Sequence, residues 1–135
     1  MDKIVVDDSR FPLLRVTFPA RRLTDEELAE YLAASAASIK TRVRKFAIVV
    51  DVGERPALTP LQRRMQADFM VQVAPVMNKL CVGQAYVMTS MATRGVLTAL
   101  FWMAPPAFPW RICARREDAE RWARDQLELA AGAPR

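Results

Sequence analysis

Asp51 and Glu54 lie at and just beyond the end of an apolar run, the place where α/β sheets hold ligands. Two carboxylates there could share acid and base work, but no further acid, nucleophile or metal set converges on them in the sequence. Thr59 is a hydroxyl directly before Pro60, a placement that makes it a helix N-cap. Cys81 and Cys113 lack the paired spacing that holds zinc and read as buried free thiols. The chain has no histidine, which removes the commonest general base and every serine or cysteine mechanism built on imidazole. No catalytic constellation, metal set or cofactor motif emerges from these residues.

The elements that must carry them follow from periodicity. Phe46-Ala47-Ile48-Val49-Val50-Asp51 is a continuous, β-branched run ending on an acid, the pattern of a central strand covered on both faces. Beyond the loop from Val52 to Leu58, Thr59-Pro60-Leu61 opens a long helix, with Pro60 where a missing N–H costs nothing. Leu61, Met65, Phe69, Val73 and Val76 predict its inward stripe, with Gln62, Arg63, Gln66 and Gln72 opposite. Pro75 is expected to kink or end it. Upstream, Ile4 to Val6 and Leu13 to Phe18 predict a hairpin around the turn residues Asp7 to Arg10, and Thr24 to Glu27 is a capping box opening a helix to Lys40. The basic cluster Lys40, Arg42, Arg44 and Lys45 reads as a solvated helix end rather than a phosphate site.

Downstream, Leu80 to Met88 predicts a strand, Met91 to Met103 a helix capped by Thr89 or Ser90, and Trp110 to Cys113 a short strand after the stiff segment Pro105 to Pro109. A last helix runs from Glu117 to about Leu129. The order β-β-α-β-α-β-α-β-α implies an α/β fold with a mixed, mostly parallel sheet of about five strands. Residues 1–130 form one domain in this reading, and 131–135 a frayed tail.

With 135 residues, 52% of them hydrophobic, the chain can fill one core. Its net charge of +5 comes mostly from arginine spread along the chain beside acids, and no motif for nucleic acid accompanies it. The first eight residues carry acids where a signal peptide would be apolar, and the apolar stretch from Val96 to Phe108 is too short to span a bilayer and is broken by Pro105-Pro106. A soluble, cytoplasmic protein is expected.

Three stretches carry a family likeness: Phe46 to Asp51 with the helix opening at Thr59, the strand Gly83-Gln84-Ala85-Tyr86-Val87, and the closing Glu117-Asp118-Ala119-Glu120-Arg121-Trp122. In this order and length the chain resembles the STAS domain, the fold of bacterial anti-anti-sigma factors, and more closely its SpoIIAA-like branch, related in fold to the CRAL-TRIO lipid-transfer domains. The resemblance implies a regulatory domain in which a serine at the start of the helix after the central strand is phosphorylated, in an Asp-Ser-Ser-Gly context. The matching place here reads Leu58-Thr59-Pro60-Leu61, so that serine and that glycine are both absent. Thr59 is the hydroxyl left there, either a phosphorylation site or a simple N-cap, and a phosphate on it would meet a helix N-terminus.

The helix from Met91 to Met103 is apolar on nearly every side, which one thin domain cannot bury. Phe101, Val96, Leu97 and Leu100 are expected in the core. Arg94, Thr98 and Trp102, at spacings of four, are expected on a contact surface, with Phe108 and Trp110 as further aromatic anchors. The leading functional reading is a non-enzymatic regulatory module acting through a protein partner or as a homodimer. The alternative is a module for a small apolar ligand or lipid, suggested by the CRAL-TRIO relationship and by Met65, Met70, Met77, Met88, Met91 and Met103.

Overall fold

The computed structural model describes residues 3–54 and 56–132. Five strands form one sheet in the order β1-β2-β3-β4-β5: Val5–Arg10, Leu13–Thr17, Phe46–Gly53, Cys81–Met88 and Trp110–Cys113. β1 runs antiparallel to β2 and the remaining neighbours pair parallel. Helices α1 (Asp25–Lys40), α2 (Pro60–Leu80) and α3 (Met91–Met103) make the three crossovers, and α4 (Arg116–Gly132) follows β5. Because the parallel strands advance in one direction, crossovers of one hand place α1, α2 and α3 on the same face. The other face is left to α4.

Period-two alternation divides the core accordingly. Leu14, Val16, Ile48 and Val50 face α1 and α2, packing with Ile39, Val73 and Met77. Leu13, Ala47, Val49 and Ala85 point the other way and meet Ala119 and Ala123 of α4. A third cluster, Leu23, Leu28 and Leu32 with Met65 and Phe69, joins α1 to α2.

Several expectations are corrected. The turn chemistry of Asp7 and Ser9 makes an irregularity inside the hairpin rather than its turn: Asp7 Oδ1 accepts from Ser9 N at 2.9 Å, β1 continues to Arg10, and the chain reverses at Phe11-Pro12. Pro75 does not end α2, which continues to Leu80. Pro75 is exposed while Val73 and Met77 are buried, so packing holds the last turns and the missing N–H falls on the solvent side. The inward stripe of α2 holds at Met65, Phe69, Val73 and Val76 but fails in the first turn, where Leu61 is exposed and Gln62 is buried, 2% accessible. α4 starts at Arg116, one residue before the expected Glu117, and continues to Gly132, while residues 133–135 of the expected tail lie outside the described residues.

Candidate interaction surface and apolar cavity

α3 is held by one aromatic anchor. Its N-cap Ser90 accepts from Thr93 N at 3.3 Å, and of its side chains Phe101 alone is fully buried. Phe101 packs against Trp110 with ring centroids 4.6 Å apart and against Tyr86 at 5.9 Å. At 100° per residue, Met91, Ala92, Gly95, Val96, Ala99, Trp102 and Met103 share the opposite side, and all seven are exposed. None of them carries a charge. A Cβ built on Gly95 would meet nothing within 4 Å, so the fold itself does not require glycine there.

The expected contact residues divide. Trp102 stands in solvent, 82% accessible. Arg94 and Thr98 are half-buried and engaged within the chain: Arg94 Nε donates to the Met88 carbonyl at 2.9 Å, and Thr98 Oγ1 donates to the Arg94 carbonyl at 2.8 Å. Phe108 and Trp110 turn inward, Phe108 against the core beneath the three crossover helices and Trp110 against Phe101. Val96, expected inside, lies on the exposed side, because five residues at about 100° each turn it roughly 140° from the buried Phe101.

Between α1, α2, α3 and the sheet lies a cavity of about 540 Å³. Leu14, Val16, Ile48, Val50 and Tyr86 form its floor, Met70, Val73 and Met77 of α2 a wall, and Phe101 and Phe108 its far side. Arg42 is the one charged residue among the described residues lining it. This corrects the reading of Arg42 as part of a solvated helix end. Its guanidinium lies over the Phe11 ring at 5.0 Å, NH2 reaches Ser38 Oγ at 3.3 Å and stands 3.8 Å from Asp8 Oδ2, and the buried Nε makes no hydrogen bond among the described residues. Sequence reading could not find this site, since a basic residue just after a helix C-terminus is usually solvated.

Thr59 is the N-cap of α2: its Oγ1 accepts from Gln62 N at 3.1 Å, and Gln62 Oε1 accepts from Thr59 N at 3.3 Å. Gln62 Nε2 also donates to the Leu23 carbonyl at 2.8 Å and to Asp25 Oδ1 at 3.1 Å, tying the starts of α1 and α2 together. The Asp51 carboxylate faces α4, 3.9 Å from Arg116 NH1, while Glu54 is exposed. Asp51 belongs to a charge network on the α4 face. Arg15 pairs with Asp7 at 3.1 Å and Glu120 at 3.4 Å, and Glu120 also accepts from Arg116 Nε at 3.2 Å. The arginine amid the apolar run of β2 was the available sign of it. Burial pushes the Cys81 thiol up to about 12 and raises Cys113 also, so both are poor thiolates. Among the described residues no three metal-ligating side chains gather, and no described helix is long and apolar enough to cross a membrane.

No family model matches the sequence, and no curated protein matches it. Solved structures do resemble it. An uncharacterized DUF3478-family protein with a SpoIIAA-like fold from Shewanella loihica PV-4 superposes with a TM-score of 0.65 at 13% identity, over 89% of this chain and 91% of that one. An anti-sigma-factor antagonist (STAS) domain protein from Planctomyces limnophilus gives a TM-score of 0.59 at 15% identity, over 90% of this chain and 98% of that one. The chain has the STAS/SpoIIAA-like fold.

Proposed function

We propose that this chain is a non-enzymatic, cytoplasmic regulatory module that works by self-association, two copies meeting through the outer faces of their α3 helices. The observation that carries the reading is the uncharged side of α3, from Met91 to Met103, left open to solvent. A partner selected by charge would find nothing to pair with there. A second copy would find a surface of its own kind, as a two-fold interface requires. Ala92, Gly95 and Ala99 let two helices approach closely, and Trp102, Met91 and Met103 supply the large side chains that such contacts bury. Glycine inside a helix costs about 1 kcal/mol relative to alanine, and the empty space above Gly95 fits a requirement outside the monomer. The likeness to an anti-sigma-factor antagonist domain supports a regulatory role. A cytoplasmic setting suits the two free, buried thiols.

Sedimentation velocity tests the reading on the wild type, Trp102→Glu and Gly95→Leu. The wild type is expected as a dimer and both variants as folded monomers, since neither side chain supports the monomer's core. A wild type that stays monomeric at high concentration, or dimers unchanged in both variants, would overturn it.

A further inference from the structure

We infer that the cavity beneath α2 is a binding site for a single-chain carboxylate, with the acid on Arg42 and the alkyl chain running toward Phe108. Its volume of about 540 Å³ falls within the roughly 300–1,000 Å³ range of small-molecule sites. The floor crosses β2, β3 and β4, a span of roughly 10 Å at the spacing of paired strands, and this length suits one flexible chain. Met70 and Met77 can shape themselves to it.

Two features select the head group. Arg42 is the only charged residue among those described along the lining, and no acid faces it from within the cavity. Its Nε is shut off from water and has no acceptor among the described residues, so the guanidinium is incompletely paired within the chain. Asp8, at 3.8 Å from NH2 and mostly exposed, is beyond hydrogen-bond distance and does not complete the pairing. A carboxylate entering beside Ser38 would pair with the guanidinium through NH2, a charge-assisted hydrogen bond. A neutral alcohol could offer one weaker bond, and an ammonium head would be repelled.

Isothermal titration with dodecanoate, dodecanol and dodecyltrimethylammonium, each below its micelle concentration, tests this on the whole chain. Dodecanoate is expected to bind about tenfold or more tightly than dodecanol, the difference a charge-assisted hydrogen bond supports, and the ammonium not at all. Arg42→Gln should remove the preference for the carboxylate, bringing dodecanoate affinity down to that of dodecanol. Ala74→Trp, which fills the cavity from α2, should abolish binding of both. Circular dichroism identifies the folded variants, and Arg42→Lys, keeping the charge, replaces Arg42→Gln if the latter unfolds, with the carboxylate preference then expected to shrink. No dodecanoate binding to the folded wild type, equal binding of the three probes, or a carboxylate preference untouched at position 42 would overturn the inference.

Discussion

Phe101 and Trp110 meet edge to face, ring centroids 4.6 Å apart, so the only fully buried side chain of α3 docks on the first residue of β5. The contact closes one side of the cavity and fixes how far α3 stands from the sheet. Phe101→Ala should cost about 3–5 kcal/mol, the range for truncating a buried phenylalanine. The loss should be local as well as global. Hydrogen exchange is expected to accelerate first across residues 91–103, before α4, and uniform acceleration through the chain would show that α3 is not an independent element.

Gln62 should matter more than Thr59, although both belong to the same cap. Thr59→Ala removes one capping acceptor, about 1 kcal/mol. Gln62→Ala removes its half of the cap and strips the buried Leu23 carbonyl and Asp25 Oδ1 of their donor, so urea unfolding should report a loss nearer 2–3 kcal/mol. The double variant should lose less than the two losses added, because the cap is shared. Additive losses would separate the two roles.

Gly83 is required by the approach of α4. A Cβ there would fall 2.9 Å from Gln126 Cγ and 3.2 Å from Trp122 Cη2, distances at which the side chains of α4 must give way. Gly83→Ala is expected to destabilise by about 1–3 kcal/mol, as overpacking does. Gln126→Ala in the same chain should restore part of it, and thermal melts of the full double-mutant cycle would expose an absence of coupling.

Glu27 gives the first helix an acid-sensitive start. Hydrogen bonds from Arg21, at 2.9 and 2.7 Å, and from the Thr24 backbone N–H bring its carboxyl down from an ordinary 4.5 to about 2. Because the folded value lies below the unfolded one, the stabilisation is complete above about pH 4.5 and is lost as the pH falls toward 2. Glu27→Gln can keep the capping geometry but not the charge-assisted bonds. Melting curves should therefore show wild type above the variant at pH 6, with the gap closing between pH 4.5 and 2. A gap constant with pH would assign the effect to packing.

What the sequence by itself determined is local. The central strand from Phe46, the capping residues Thr24 and Thr59, and the helix from Met91 depend on neighbours within a few residues, and the order of elements follows from them. The sheet's parallel pairing is nearly as legible, because connections of this length admit one hand of crossover. Tertiary structure decided where single residues depart from a helix's periodic stripe, as at Gln62. Gln62 turned inward because the Leu23 carbonyl and Asp25 of a separate helix start supplied its partners, a contact no periodicity encodes. Phe108 turned inward against the core and Trp110 against Phe101, contacts between separate elements, whereas Trp102 lies outside as its step of about 100° from Phe101 implies. The gap under α2, and Arg42 at its wall, arise from how three crossover helices of fixed length share one face of a five-stranded sheet. That space belongs to none of the elements alone, since a cavity is set by the distances between packed surfaces and not by the residues of any one of them.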